Sequence, residues 1–341
     1  MLKKIILLMI LIILSTTNIL AAEPETKIIR VPIIARSPET GVILGGMAIY
    51  LKEEEEKNLK VDLAAMYTQE NQANIFLKSY KGYDDKKLEL GISYQDWISK
   101  FYGIGNNTDI DNEEKYNSKG FKVEGSISKE IINDGFLGLI TSYEDYSLSL
   151  NKEIEGIEES KGIDLLSLGL KYSYDTRDRR MNTRSGQYLN YEAKTYYYSM
   201  DDYKFFKHDI DYRFFKSISN EHTIGFQTKL EINRGEIPFQ SLASLGNSNI
   251  MRGVINGRYI DNNKFAAQIE YRYPIHKKFS GVVFASIGEV YEKDFKTDQL
   301  KESYGLGVRY NLDKESGINM RLDLAFGQEE SQFYVNIGES F

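Results

Sequence analysis

The sequence predicts an all-β fold, a sixteen-stranded antiparallel barrel that crosses a membrane. Three observations carry the strand prediction. Stretches of about nine to fifteen residues alternate apolar and polar side chains, and about sixteen follow one another. Tyr and Phe number 25 and 17 while Pro numbers 5, a composition suited to long strands. The chain opens like a secretory leader, and no later stretch approaches the length of a membrane helix.

The leader comes first. Lys3 and Lys4 precede the apolar run IILLMILIIL, then polar STTN, then Ala21 and Ala22 before Glu23. A basic start, an apolar run of about ten residues and a small-residue exit describe a signal peptide, residues 1–22, cleaved after Ala22. Leu20 departs from the small residue usual at that position. Cleavage removes two lysines and takes the formal charge from −7 to −9. Nucleic acid is excluded as a partner, because it requires a basic face. The mature chain, 23–341, reads as one domain.

The strands follow. In β-structure, successive side chains face opposite ways. In KFAAQIEYRYPIH, one parity holds Phe265, Ala267, Ile269, Tyr271, Tyr273 and Ile275; the other holds Gln268, Glu270 and Arg272. Leu166, Leu168 and Leu170 oppose Ser167, Gly169 and Lys171, and Tyr304, Leu306 and Val308 oppose Gly305, Gly307 and Arg309. Such segments begin near residues 27, 42, 60, 71, 87, 118, 135, 164, 186, 203, 222, 264, 279, 299, 316 and 331. A tilted strand of about 9–11 residues crosses a bilayer, and an even count puts both chain ends on one side. A secreted β-sandwich is the soluble alternative. It accounts less well for the strand length, the aromatic load and the polar inner face.

The connections sort by length. Long polar ones (98–117, 150–163, 237–263) fall on one side, and mostly shorter ones (131–134, 217–221, 276–278, 313–315) on the other. Outer-membrane barrels have long outer loops and short periplasmic turns. The acidic run Glu53–Glu56 then reads as a solvated periplasmic turn. Asp175, Arg177 and Asp178 precede a turn containing Asn182 and Gly186. They read either as a hairpin-holding set or as a dedicated periplasmic element. The last segment places Phe333, Val335, Ile337 and Phe341 on one parity. Its final phenylalanine resembles the terminal signal that outer-membrane assembly machinery recognises during barrel insertion.

SPETGVILGGMAIY (residues 37–50), FYGIGNNT (101–108), DTRDRRMNTRSGQYL (175–189), MRGVINGRYIDNNKFAAQIEYRYPI with GVVFASIGEVY, and the ending FYVNIGESF occur in that order. Together they resemble BamA/TamA-type outer-membrane proteins, the bacterial surface antigen family, over essentially the whole mature chain. The resemblance implies a sixteen-stranded barrel whose long outer loop folds back into the lumen, where its element Met251, Arg252 and Gly253 meets the inner wall of the next strands. Glu270 and Arg272 lie on the inward parity, and Arg252 is expected to pair with Glu270. Gly253 permits a tight bend. Two departures stand out. Only residues 23–26 precede the first strand, leaving no room for the family's periplasmic POTRA domains. Ser286 stands where the family has an acidic residue, so it is a weaker wall partner for the loop.

The function implied is assembly or translocation of membrane proteins, with outer-membrane lipids around the barrel and a separately encoded periplasmic partner. A plugged or passive channel and a surface-exposed structural protein are the alternatives. An enzyme is not expected, because no Ser–His pair with an orienting third group is visible. No cofactor or metal is expected: Cys is absent, and His208, His222 and His276 are far apart in sequence.

Overall fold

The computed structural model describes residues 26–37, 41–54, 57–150, 163–198, 204–219, 221–313 and 317–341. The leader (1–22), the domain boundary at residue 23 and the connection 151–162 lie outside them, as do the side chains of the acidic run Glu53–Glu56. In chain order the strands are β1 (Thr26–Ser37), β2 (Gly41–Glu54), β3 (Lys57–Thr68), β4 (Ala73–Tyr83), β5 (Lys86–Phe101), β6 (Glu114–Ile132), β7 (Gly135–Leu150), β8 (Ile163–Asp175), β9 (Gly186–Tyr198), β10 (Lys204–Ser217) and β11 (Thr223–Gly235). A short hairpin, β12 (Ala243–Leu245) and β13 (Tyr259–Asp261), precedes β14 (Asn263–His276), β15 (Phe279–Tyr291), β16 (Lys301–Asp313), β17 (Ile318–Phe326) and β18 (Ser331–Ile337). All strands except β12 and β13 form one closed antiparallel barrel of sixteen, each beside its chain neighbour, and β18 returns to β1.

The alternation has a direct structural expression. Leu166, Leu168 and Leu170 stand out from the wall, whereas Ser167 is fully buried and Lys171 pairs with Glu89 inside. Leu88, Leu90 and Ile92 repeat the outer pattern on β5. A belt of exposed leucine and isoleucine is what lipid selects, because closure satisfies the backbone and only side chains meet the hydrocarbon. The inner wall is polar, with ion pairs that bridge strands (Lys122 with Glu144, Lys194 with Glu124, Lys207 with Glu231) and others along one strand (Lys122 with Glu124, Lys194 with Glu192).

The connections differ from expectation in two places. β5 and β6 extend further than their alternation indicates, which shortens the outer loop between them to 102–113. On the periplasmic side, tight turns place Asp84, Asp134 and Lys277 at positive φ. The β8–β9 connection, 176–185, is instead a ten-residue element, longer than any hairpin turn needs.

Closure is uneven. β1 and β2 pair over twelve positions and β17 and β18 over seven, while β1 and β18 share one partner pair among the described residues, Arg36 with Val335.

The lipid belt has a measurable consequence. Leu168 lies mid-strand on the outer face. Leu168→Arg is expected to cost about 2–4 kcal/mol in urea-titrated folding into vesicles, falling toward zero for the same change near a strand end. An equal cost at both depths would contradict this orientation.

Candidate functional site

The long outer connection, 236–262, turns inward into the lumen and packs on the wall at β14 and β15. Its neck is the β12–β13 hairpin, in which Ala243, Ser244 and Leu245 face Asp261, Ile260 and Tyr259. At the tip, Asn247 Oδ1 accepts hydrogen bonds from the backbone N–H groups of Asn249 (2.7 Å) and Ile250 (3.0 Å). That turn delivers Ile250 and Met251 into an apolar cluster with Leu245, Val254, Tyr259 and the wall residues Ala266 and Val290. The apolar pair before the arginine is therefore an anchor, seated by burial.

Arg252 is fully buried and held on three sides. Its Nη2 donates to Glu270 Oε2 on β14 at 2.6 Å, and its Nη1 to Asp323 Oδ2 on β17 at 2.7 Å. The guanidinium lies 3.5 Å from the ring centre of Phe284 on β15, in cation–π contact. Gly253 has φ 100°, and its N–H donates to the Tyr334 hydroxyl. An added Cβ there would lie 2.9 Å from the backbone at Phe326 and Gly327, so only glycine allows this approach.

The pair belongs to a larger network. Glu270 Oε1 accepts from Arg272 Nε at 2.7 Å, and its Oε2 also accepts from Ser340 Oγ at 3.0 Å. Asp323 Oδ1 accepts from Arg309 Nη1, while Arg309 Nε donates to Glu339 Oε2. Arg321 approaches Asp323 at 3.6 Å, and its Nε and Nη1 have no hydrogen-bond partner. Buried guanidiniums of this kind persist only where carboxylates compensate them.

The outer end of the loop has its own arginine. Arg258, 1% exposed, forms a bidentate contact with Glu329 (2.7 Å at both Nε and Nη2) and donates from Nη2 to the Thr108 carbonyl. Burial is the largest single influence and works against its charge, yet Glu329 together with Tyr259 and Tyr102 holds the guanidinium above its ordinary value. Burial also pushes neighbouring Tyr259 up to about 12. Asn106 on the 102–113 loop donates to the Gln299 carbonyl, and Gly105 bridges to Ile260. Two outer loops are thus pinned to the lumen loop, and a third is tied to one of them through Asn106. The crevice beside Gly253, Arg258 and Glu329 holds about 10 Å³, room for little more than one water.

The inner end is closed by two other elements. In the 176–185 connection, Arg177 forks onto Asp175 (2.8 and 2.9 Å), and Asp178 Oδ1 accepts from the N–H groups of Arg184 and Ser185. Gly186 has φ 105°, and a Cβ there would lie 2.2 Å from the Thr176 carbonyl. Thr183 is buried, and its carbonyl accepts from Arg272 Nη1 at 3.1 Å. The chain end is the second element. Gly338 at φ 88° turns the backbone out of β18, so Phe341 does not share the outward face of Phe333. Phe341 is buried, stacks on Phe215, and its carbonyl accepts from Arg272 Nη2. This corrects the single parity assigned to Phe333, Val335, Ile337 and Phe341: strand alternation stops at Ile337.

The structure brings Met251, Arg252, Gly253, Glu270 and Arg272 together and leaves Ser286 apart. Ser286 is buried on β15 between Gln268 and Ser303, and its Oγ has no hydrogen-bond partner. Arg252 takes its second carboxylate from Asp323 on β17, not from position 286. Asp323, Arg309, Glu339 and Arg258 were absent from the sequence-based set. The alternation of RLDLAF, with Arg321 and Asp323 on the parity opposite Leu322 and Leu324, was the available signal.

The Omp85 superfamily domain matches residues 56–341. Among solved structures, BamA from Haemophilus ducreyi lacking POTRA domains 1-3 superposes with a TM-score of 0.62 at 14% identity, covering 92% of this chain and 70% of that one. CdiB from Acinetobacter baumannii gives 0.60 at 11% identity over 92% of this chain, and CdiB from Escherichia coli 0.60 at 11% over 93%. The chain spans 59% and 63% of the two CdiB chains. At these identities the likeness is one of fold. No curated protein matches the sequence.

Two outcomes follow from the buried charges. Asp323→Ala strips an anion from three guanidiniums, whereas Arg252→Ala leaves Asp323 beside Arg309 and Glu270 beside Arg272. Asp323→Ala should cost about 3–5 kcal/mol and Arg252→Ala clearly less. Arg252→Ala and Glu270→Ala should be non-additive by about 0.5–3 kcal/mol, and strict additivity in urea unfolding would break the pairing. For the outer end, Arg258→Ala should raise single-channel conductance in planar bilayers. Unchanged conductance would mean that Arg258 does not hold the outer mouth shut.

Proposed function

The chain belongs to the Omp85 superfamily, and on that premise we propose that this outer-membrane barrel assists assembly or translocation of other membrane polypeptides, together with a separate soluble periplasmic partner. The observation that carries the reading is the seam, where one partner pair among the described residues, Arg36 with Val335, joins β1 to β18. Every other wall junction pairs over seven positions or more. A poorly paired seam presents two strand edges, and an edge is a template for another strand. A client strand could pair there while its side chains pass directly into lipid.

The occupied lumen speaks against a passive channel, since the loop and the chain end take up space that an open pore would leave to water. We read the protein as non-enzymatic, and as reaching the outer membrane by a cleaved leader. The arginine network ties β14 to β17 on the β18 side of the seam, so that opening is confined to the β1–β18 junction itself.

The chain has no cysteine, which makes the seam testable. Cα atoms of paired residues lie about 4.5–5.5 Å apart, within disulfide reach. Arg36→Cys with Val335→Cys should lock the seam. Wild-type barrels in vesicles should accelerate insertion of a urea-unfolded outer-membrane protein, the oxidised variant should not, and reduction should restore it. No acceleration over empty vesicles by the wild-type barrel would sink the reading.

A further inference from the structure

The β8–β9 connection is a strap across the periplasmic mouth. It leaves the wall between β8 and β9, yet Thr183 reaches Arg272 on β14, and the Met181 carbonyl lies against Gly317 in the β16–β17 turn. Six strands (β9, β10, β11, β14, β15 and β16) separate those two turns along the wall. The strap is rigidly built. Asp178 is committed to its own amides, Thr183 Oγ donates to the Arg179 carbonyl, and Arg177 forks onto Asp175 and lies over Tyr188.

On this frame Arg179 and Arg180 face solvent. Arginines elsewhere in the described wall and loops are mostly committed: Arg213, Arg252, Arg258, Arg272 and Arg309 all pair with carboxylates, as does Arg177 on the strap itself. Arg179 and Arg180 have no ion pair among the described residues. Arg184, on the same strap, has a buried Nη2 with no hydrogen-bond partner, and so adds uncompensated positive charge. In a chain of formal charge −7, this is a local reversal of sign on a preorganised element.

We propose that Arg179 and Arg180 form the docking site for an acidic segment of a soluble periplasmic protein. Two exposed planar guanidiniums on a fixed backbone suit carboxylates, which they can grip bidentately. Position selects protein over lipid. The strap runs beneath the lumen, away from the ring of headgroups around the wall, where Lys277 and Lys278 stand exposed at the rim. The proposal names the surface used by the separate partner invoked above and rests on that reading. Peptide docking is measured with no client present, so it can fail while insertion succeeds, and the reverse.

The test uses the whole barrel in phosphatidylcholine nanodiscs and a fluorescein-labelled polyglutamate peptide, followed by anisotropy. Arg179→Glu with Arg180→Glu should weaken binding by about tenfold or more, while Lys277→Glu with Lys278→Glu, an equal change in charge at the rim, should shift it by less than about threefold. Heat-modifiable mobility verifies that both variants fold. Equal losses in the two variants, or no binding by the wild-type barrel, would overturn the proposal. So would phosphatidylglycerol enrichment around the barrel that the strap variant abolishes while peptide binding persists, since the site would then serve lipid.

Discussion

The closed interior depends on one desolvated cation. Arg252 arrives from a loop, not from the wall, and its guanidinium has no water to fall back on. A buried charge of this kind is tolerated only against partners already in place. Glu270 and Asp323 provide them from two strands that are not neighbours: β15 and β16 lie between β14 and β17. Phe284 fills the gap on β15, and on β16 Gly307 leaves the room, since a Cβ there would sit 2.0 Å from Asp323 Oδ1. One loop side chain therefore ties four consecutive wall strands into a fixed arc.

That arc explains what was and was not legible in the sequence. Strand alternation gave the sixteen wall strands and the inward faces, because period-two burial leaves a mark at every residue. It placed Glu270 and Arg272 inside, and the resemblance aimed Arg252 at that wall. Asp323 stayed hidden although it has the same inward parity, because alternation gives a residue's face and not its height along the barrel. Height depends on strand tilt and register, which no local pattern reports. Phe341 misled for another reason. It keeps the right parity by number, but Gly338 ends the strand before the count reaches it. The ten-residue strap read as a charged turn because its long-range contacts, Thr183 with Arg272 and Met181 with Gly317, join segments far apart in sequence.

Arg272 connects the two ends of the lumen. Its Nε holds Glu270, the carboxylate that grips the loop arginine; Nη1 holds the strap through Thr183; Nη2 holds the chain end through Phe341. Five donors in a planar fork make such three-way bridging natural for arginine and impossible for lysine at one fixed position. The outer loop and the inner strap thus share one wall residue, and a shift in either changes the hydrogen bonds available to the other.

The surplus of guanidiniums decides which member of the network can be lost at least cost. Asp323 faces Arg252, Arg309 and Arg321, and Glu270 faces Arg252 and Arg272. If the loop withdraws, neither carboxylate is orphaned: Arg309 and Arg272 remain, and Arg321 has two free donors within a short move of Asp323. The departing Arg252 enters water, where its charge is solvated at no penalty. Withdrawal therefore avoids the large term that makes breaking a buried ion pair costly, namely the uncompensated charge left behind. Loss of a wall carboxylate has no such relief, because every guanidinium stays inside. In this network the loop arginine is thus the member whose loss costs least, and the wall carboxylates the members whose loss costs most.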